Sequence, residues 1–311
     1  MSAIYHLFDM SISTSSHTLP SIGIIGAGKL GSALSLAFGK QLQWIVCHSV
    51  IQAEELRNSF PDIPIYTSIG QISSTCDVVF LTVPDGKIKE TAKNFSITLG
   101  HTFHGKMIVH CSGALGLDEL NSCRELGIKT IASHPYQTFT GKDSTALKGI
   151  AWGIECEKED EDSINSLVTS LGGIPVILSA ATKANKAVYH ASAVVASNFV
   201  TMLVEVAREF AAKADINDVF LAPIIRRAVE NSLEALHLDA PLPLTGPIAR
   251  ADITTLELHR KALVNTPLWE LYSILSRATA ITAFRNDIIT AEEYELVKNV
   301  VKEQRNSNNY S

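Results

Sequence analysis

Three glycines near the N-terminus have the spacing that lets a backbone wrap around a phosphate. The segment Gly26-x-Gly28-x-x-Gly31 follows an apolar run at 22–25 and precedes apolar residues repeated at helical spacing. Between a strand and a helix, Gly26 permits a tight turn, Gly28 lets the backbone approach a pyrophosphate, and Gly31 lets helix and strand pack closely. We therefore predict that the helix N-terminus binds the phosphates of a dinucleotide. The predicted contacts are Gly26, Ala27, Gly28, Lys29, Leu30 and Gly31; the alternative is a glycine-rich turn with no ligand.

The end of the second apolar run bears on which dinucleotide is bound. Sites that prefer NAD usually place an acidic residue there, about 20 residues after the glycines, to bind the ribose 2′-hydroxyl. This chain has His48 and Ser49 at that point, with Arg57 and Lys29 as nearby cations. The pattern favours NADP, because such side chains can contact its 2′-phosphate, and NAD stays the alternative. Ordinary loop polarity is the other interpretation of His48 and Ser49.

Two further apolar runs end in short polar motifs. Val83-Pro84-Asp85 ends one, and the segment 110–114, His-Cys-Ser-Gly-Ala, ends the next. Open parallel sheets bind ligands at the carboxyl ends of their strands. We therefore expect Val83 and Pro84 to contact the cofactor and Ser112 to lie near the nicotinamide, in contact with cofactor and substrate. Pro84 also lacks an N–H donor, so ending its strand explains it equally well.

The elements that must position these residues alternate between strand and helix. Strands are predicted at 22–25, 44–48, 63–67, 77–83, 106–110 and 128–133, and helical segments near 29–40, 51–59, 69–74, 85–97 and 117–126. Two more strands, 149–155 and 174–178, flank a helix at 158–171 and extend the sheet. The alternation predicts an α/β fold, with a parallel sheet covered by helices on both faces. The predicted domains are a flexible N-terminal arm at 1–20, a nucleotide-binding domain at 21–179 and an all-helical domain at 180–311.

Composition bounds the class of protein. The chain has 311 residues, of which 46% are hydrophobic and 19% charged, as in a two-domain soluble enzyme. Its formal charge of −6 and the lack of a long basic run argue against nucleic acid as a partner. No apolar stretch reaches the roughly 18 residues that span a membrane, and residues 1–20 lack the pattern of a secretory signal. The five scattered cysteines form no C-x-x-C pair, so we expect free thiols in the cytoplasm and predict no metal site.

Several motifs occur in order along the chain. They are the glycine motif, Val83-Pro84-Asp85, 110–114, Ser133-His134-Pro135-x-Gln137-x-Phe139, Tyr189-His190-Ala191, Ser197-Asn198 and the segment 244–252. In these motifs, from about residue 21 to 265, the chain resembles bacterial Rossmann-like proteins whose helical second domain has no assigned function. Those proteins belong to the 6-phosphogluconate dehydrogenase-like superfamily, with β-hydroxyacid dehydrogenases, ketopantoate reductase and pyrroline-5-carboxylate reductase. The resemblance implies an NAD(P)-dependent oxidoreductase fold and a homodimer formed through the helical domain.

The same resemblance suggests acid/base residues. Several enzymes of the superfamily use a Lys and an Asn, four residues apart on the first long helix. This chain has Lys186 and His190 there, with Asn198 on the same helix face, and we predict that all three are catalytic. Lys186 is the candidate general acid, Lys183 is a competing lysine, and His190 is the alternative acid/base because a histidine pKa lies near neutrality. The structural alternatives are a solvated Lys186 and a buried hydrogen-bonded pair of His190 and Asn198.

Three further residues are predicted to bind substrate together with Ser112. His134 and Gln137 follow the last strand of the predicted parallel sheet and are expected to line the cleft, although His134 could instead brace the domain junction. Arg250 suits bidentate binding of a carboxylate if the substrate is an acid. Asp252 is better explained as the N-cap of the following helix.

These features predict an oxidoreductase that transfers a hydride to or from a small carbonyl, hydroxy-acid or imine substrate in the cleft between the domains. A pyrroline-5-carboxylate reductase-like imine reductase is one alternative. A non-catalytic NADP-binding sensor or scaffold is the other, because His190 and the missing strand-end carboxylate depart from better-studied enzymes.

Overall fold

The computed structural model describes residues 19–141 and 143–302, so the predicted N-terminal arm lies outside the described residues apart from Leu19 and Pro20. The chain forms two compact units, which divide between Val200 and Thr201. The first unit therefore includes the start of the helical segment that the sequence assigns to the second domain. The predicted boundary at residue 179 stays a prediction.

The first unit is built on one sheet of eight strands in the order β3-β2-β1-β4-β5-β6-β7-β8. The strands are β1 (Ile22–Ile25), β2 (Leu42–Val46), β3 (Ile65–Tyr66), β4 (Val78–Leu81), β5 (Met107–His110), β6 (Lys129–Pro135), β7 (Ala151–Glu155) and β8 (Ile174–Ile177). Strands β1 to β6 are parallel, which confirms the predicted α/β fold. The order reverses between β1 and β4, and the carboxyl edge beside such a reversal is where open sheets bind ligands.

Strand β7 departs from the parallel arrangement, because it pairs antiparallel with β6 while β8 runs parallel to β7. The described residues of the connection from β6 to β7, 136–141 and 143–150, contain one short 3-10 turn, Ser144–Leu147, and no α-helix. A parallel return needs a long crossover, usually a helix, so a chain without one comes back antiparallel.

Twelve α-helices complete the described residues of both units. They are α1 (Lys29–Phe38), α2 (Val50–Ser59), α3 (Asp85–Leu99), α4 (Asn121–Arg124), α5 (Glu161–Ser170), α6 (Ala180–Ala184), α7 (Lys186–Val194), α8 (Val200–Lys213), α9 (Leu221–Leu238), α10 (Ile253–Leu263), α11 (Leu268–Arg285) and α12 (Ala291–Val300). The predicted helix at 181–214 is interrupted at Asn185, whose backbone is not helical. A π-helical turn at Val195–Phe199 then joins α7 to α8.

The core of the first unit lies on both faces of the sheet. Successive residues of the central strands alternate between the two layers, so that Ile24 and Phe80 pack in one layer while Ile25 and Leu81 pack in the other. All four residues of β1 are buried. Burial on both faces explains why these strands are continuously apolar in sequence.

The turn after β1 is closed by an unusually near approach of backbones. Gly26 has φ of +104°, and a Cβ on Gly31 would overlap the Gly26 carbonyl oxygen and lie 2.7 Å from Thr82 Oγ1. Thr82 donates a hydrogen bond to the same Gly26 carbonyl. The start of α1 can therefore reach the ends of β1 and β4 only because residue 31 has no side chain.

Helices α10, α11 and α12 of the second unit pack around a small core of Leu256, Ala280, Val297 and Val300. The continuous helix Lys186–Lys213 has a mean hydropathy of 1.5 over its most apolar window, and by length and composition it could cross a membrane. This segment differs from the expectation that no apolar stretch is long enough to span a membrane. Serine, threonine and asparagine interrupt its apolar residues.

Replacing Gly31 with Ala tests the close approach. The added Cβ has no space without moving backbone, so we expect the free energy of unfolding in urea to fall by about 2 kcal/mol or more. Gly70→Ala is the matched control, because a Cβ at that position meets open space, and its effect should stay within about 0.5 kcal/mol. Equal stabilities of the two variants would contradict the packing described for Gly31.

Candidate active site

A hollow of about 490 Å³ lies at the carboxyl edge of the sheet, beside the reversal in strand order. It is lined by all the predicted cofactor residues except Lys29 and Gly31, namely Gly26, Ala27, Gly28, Leu30, His48, Ser49, Val83, Pro84 and Ser112. Gly31 contributes through packing instead. Lys29 is exposed and lies outside the lining. We call this cavity the edge hollow.

One end of the edge hollow has the features of a phosphate site. Gly28 is the N-cap of α1 and provides no side-chain hydrogen bond, so the first N–H groups of the helix are left for a ligand. A Cβ built on Gly28 meets nothing within 4 Å, so the backbone there is open to a close neighbour. The first turn of α1 carries no acidic residue that would repel an anion. These observations fit the pyrophosphate of a dinucleotide.

The end of β2 forms another part of the wall. Ser49 is the N-cap of α2, and its hydroxyl accepts a hydrogen bond from Gln52 N. The Gln52 side chain donates to Ala27 O at 2.6 Å, which ties α2 to the glycine turn. His48 is exposed at this end, whereas the predicted cation Arg57 donates instead to Ile65 O. No lining residue from this strand end carries a carboxylate.

Ser112 has its hydrogen-bonding capacity used within the loop after β5. Its hydroxyl donates to Asp85 Oδ2 at 2.8 Å and accepts from the N–H groups of Ala114 and Leu115. A hydroxyl has one donor and two acceptor positions, so all three are occupied. Ser112 thus fastens its loop to the start of α3. Its hydroxyl has no donor or acceptor left for the direct contact with substrate that the sequence predicts.

His110, the last residue of β5, fixes the same loop through two hydrogen bonds. Its side chain is fully buried, Nε2 is 3.0 Å from Gly116 O, and Nδ1 accepts from Ser112 N at 3.3 Å. Burial lowers the pKa of His110 to about 4, so the ring is neutral near pH 7. The neutral ring can donate from Nε2 and accept at Nδ1, which matches both contacts.

Two histidines and two tyrosines meet next to this loop, and we call them the His–Tyr cluster. They are His134, Tyr136, Tyr189 and His190, with ring centroids 5.3 to 5.8 Å apart in four pairs. His134 Nδ1 and the Tyr189 hydroxyl share a hydrogen bond of 3.1 Å. Tyr136 donates to Ser192, whose own proton goes to the Tyr189 carbonyl. The cluster joins the end of β6 to α7.

Gly113 is the point where the His–Tyr cluster touches the loop that lines the edge hollow. A Cβ on Gly113 would lie 2.7 Å from His190 Nδ1 and 2.8 Å from His134 Cε1. His190 Nδ1 is buried and has no hydrogen-bond partner within the described part of the chain. A buried polar atom without a partner is costly, which marks this nitrogen as a candidate contact for a ligand.

Lys186 is bound to a carboxylate that the sequence analysis missed. Its Nζ lies 2.9 Å from Glu155 Oε2, and the side chains are only 8% and 16% exposed. Removing either partner of such a pair leaves a buried charge. The ion pair therefore fastens α7 to β7. Its burial differs from the solvated alternative for Lys186, and the role of Lys186 as general acid stays a prediction.

Burial also sets the proton equilibria of the cluster. It lowers the pKa of His134 to about 4, helped by the nearby His190 and Lys186. Burial raises the pKa of Tyr189 to about 12, with a smaller contribution from Tyr136. Both side chains are therefore neutral near pH 7 and can exchange hydrogen-bond roles with a ligand.

The remaining predicted residues do not join the cluster. Gln137 is exposed, and its side chain accepts from Thr138 N. Asn198 is exposed in the π-helical turn and contacts Ser197, because that turn breaks the four-residue spacing that would align it with His190. Arg250 belongs to the second unit and is exposed. Asp252 caps α10 by accepting from Thr255 N at 3.0 Å, which confirms the N-cap predicted from the sequence.

Comparisons with known proteins identify the domains. Residues 11–135 match the family described as a Rossmann-like domain, and residues 150–279 match the domain of unknown function DUF2520. The chain therefore combines a Rossmann-like domain with a C-terminal DUF2520 domain, in agreement with the resemblance seen in its motifs. No curated protein matches the chain in sequence.

Several solved structures share the fold. A candidate NADP oxidoreductase from Bacteroides fragilis is 21% identical, with a TM-score of 0.67, and the match covers 83% of this chain and 97% of that one. An imine reductase from Streptomyces aurantiacus is 13% identical, with a TM-score of 0.58 and coverage of 91% and 100%. A pyrroline-5-carboxylate reductase from Coxiella burnetii is 12% identical, with a TM-score of 0.55 and coverage of 92% and 100%.

The two buried histidines predict a pH dependence of stability. Unfolded histidine has a pKa of about 6.5. Between about pH 6.5 and 4, His110 and His134 are therefore protonated in the unfolded chain and neutral in the folded protein. The free energy of unfolding should therefore fall as pH drops through this window, by about 3 kcal/mol for the fully buried His110 alone. Urea unfolding at several pH values measures the loss, and NMR titration of the imidazole C–H signals assigns it. A pKa near 6.5 for both rings would contradict the account.

Proposed function

We propose that the protein is an NADP-dependent oxidoreductase that reduces the C=O or C=N bond of a small substrate. The observation that carries the proposal is the contact at Gly113, where the loop lining the edge hollow meets a histidine–tyrosine pair and a histidine nitrogen that has no partner among the described residues. A proposed dinucleotide site and a cluster of side chains that can exchange protons then adjoin at one loop. Reduction of such a bond needs both.

The parts of the cofactor have separate supports. The uncapped N-terminus of α1 and the open Gly28 suit the pyrophosphate. His48 and Ser49 suit a ribose that carries a 2′-phosphate, because no residue that lines the hollow at the end of β2 carries a carboxylate. Ser112 at the other end of the hollow would lie beside the nicotinamide, which supplies the hydride when the cofactor is bound.

We assign the role of proton donor to His190. Its buried Nδ1 faces Gly113 without a partner, so a substrate oxygen or nitrogen there would satisfy it and receive the proton. His134, held by Tyr189, would orient the substrate from the second side. The Lys186–Glu155 pair would keep α7 in register so that His190 stays in place. This assignment follows the alternative acid/base of the sequence analysis rather than Lys186.

Imine reduction is a specific form of this proposal. The imine reductase and the pyrroline-5-carboxylate reductase with the same fold are named for C=N substrates. The neutral His134 is compatible with an imine that already carries its proton, because such a substrate accepts a hydride without a further proton from the enzyme. A non-catalytic NADP sensor is the remaining alternative, and turnover separates it from both reductases.

Titration of NADPH and NADH, followed by nicotinamide fluorescence, tests the cofactor. We expect NADPH to bind more tightly than NADH. Ser49→Asp should weaken the binding of NADPH by about tenfold or more, because the new carboxylate would repel the 2′-phosphate. Aspartate also caps helices, so α2 should keep its stability. Affinity for NADH should change little.

Two controls keep this titration interpretable. Gly28→Glu should abolish binding of both cofactors, because its side chain would fill the approach to the pyrophosphate. Ile97→Glu adds the same charge at an exposed position near the end of α3 that does not line the hollow, and should leave both affinities unchanged. No binding of either cofactor to the wild-type chain at millimolar concentration would overturn the proposal.

Turnover of a panel of cyclic imines and keto acids tests the acid. We expect His190→Asn to lower the rate of NADPH oxidation by about 100-fold while NADPH affinity stays within about twofold. His101→Asn, at an exposed histidine of the same unit, should have no effect. Lys186→Met should chiefly lower stability, because Glu155 is left buried without its cation. NADPH binding without oxidation of any panel member would favour the sensor.

We also propose that the protein is a cytoplasmic homodimer formed through the helical unit. Helix α9 has no buried residue, although Val229, Leu233 and Leu236 recur at spacings of four and three residues and are exposed. Helices of this length gain most of their stability from packing, so a partner must cover the stripe. Charged residues of both signs also occur on α9, which fits a second copy better than a bilayer, and the five cysteines are free and buried.

The membrane alternative for Lys186–Lys213 is disfavoured by the contacts at its N-terminal end. Lys186 is buried in an ion pair with Glu155 of β7, and His190 packs against His134 at the end of β6, so the first turns of this helix contact the sheet of the first unit. Sedimentation equilibrium should give a dimer for the full chain and a monomer for Leu233→Glu. Ile97→Glu, at an exposed apolar position of the first unit, is the control. A monomeric wild-type chain would contradict the proposal.

A further inference from the structure

The helical unit contains a cavity of its own, about 440 Å³ in volume, between the end of α8 and the helices α10 and α11. Phe210, Lys213, His259, Leu263 and Tyr272 line it, with Ala214 and Ala262 between them. Its volume lies in the range of small-molecule sites, which are mostly apolar with a few converging polar groups. All of its residues belong to the second unit, whereas the residues of the edge hollow belong to the first.

Aromatic side chains form the apolar wall. The rings of Phe210 and Tyr272 are 6.2 Å apart and tilted by 43°, and His259 meets Tyr272 edge to face at 5.5 Å. Trp269 stacks on Tyr272 at 6.0 Å and is itself buried, so the Tyr272 ring is held in one place. Fixed rings at mutual angles offer a flat ring both a face and an edge to pack on.

The polar groups of the cavity can donate to a ligand. The Tyr272 hydroxyl and His259 Nδ1 share a hydrogen bond of 2.7 Å. When Tyr272 donates in this bond, the proton of His259 is on Nε2. Lys213 forms no ion pair within the described residues. Neighbouring Asp252 is engaged in the cap of α10. A ligand that complements these groups carries an acceptor with negative charge.

We propose that this cavity binds a small aromatic carboxylate, with its ring between Phe210 and Tyr272 and its carboxylate on Lys213 and His259. The apolar wall selects the ring through burial and edge-to-face packing. The two donors select the anion, because a carboxylate forms an ion pair with Lys213 that a neutral ligand of the same shape cannot form. The cavity is a second ligand site, separate in its residues from the proposed oxidoreductase site.

Calorimetric titration of the full chain with indole-3-acetate tests the site, with indole-3-acetamide as the neutral ligand of the same shape. We expect the acid to bind with a dissociation constant of about 1 mM or below, and the amide at least about fivefold more weakly. Lys213→Gln should weaken the acid by about fivefold and leave the amide unchanged. Leu263→Trp, which fills the cavity, should abolish binding of both.

Lys261→Gln is the matched control, because Lys261 is exposed on α10 and does not line the cavity. Thermal melting of each variant separates loss of the site from loss of the fold, and NADPH affinity is a further check that the first unit is intact. Three results would overturn the proposal: no binding to the wild-type chain at millimolar acid, equal binding of acid and amide, or equal affinities of Lys213→Gln and the wild-type chain. Affinity that falls as protein concentration rises would show instead that a second copy fills the cavity.

Discussion

The nucleotide half of this molecule depends on one steric constraint, the contact of the Gly26–Gly31 turn with Thr82. Here the start of α1 lies against the ends of β1 and β4, with no room for a side chain at Gly31. The hydrogen bond from Thr82 to Gly26 O fixes the turn in this position. Because the first N–H groups of α1 have no side-chain cap, the same constraint that packs the helix also leaves them available for the phosphates that we propose at the edge of the sheet.

A second set of contacts extends this edge toward the chemistry. His110, Ser112 and Asp85 form a continuous series of hydrogen bonds that holds the loop after β5 against the start of α3. Gly113 at the tip of that loop then leaves just enough space for His134 and His190. The buried Lys186–Glu155 pair sets the position of α7 from the other side. Ser112 and Lys186, which the sequence suggests as site residues, thus position neighbouring segments. The His190 Nδ1 atom has no partner among the described residues.

The strands and the glycine turn could be predicted from sequence because their signals are local. Apolar runs bounded by turn residues give β1 to β6, and the glycine spacing gives the turn, each within a few residues. Glu155 could not be found in this way, since its partner is 31 residues away and the carboxylate alone looks like any strand-end residue. Ser112 was recognised, but its full hydrogen-bond use depends on Asp85, which is 27 residues distant. Asn198 fell out of line because a π-helical turn leaves no recognisable pattern in the sequence.

The central claim is that the nicotinamide end of a bound cofactor reaches the loop where the His–Tyr cluster begins. The most direct measurement is the nuclear Overhauser effect between the C4 hydrogens of bound NADPH and the assigned imidazole C–H groups. The account predicts transfer to His190 and His134, which both touch Gly113, and none to exposed His101. Bound NADPH that shows transfer to neither His190 nor His134 would contradict it.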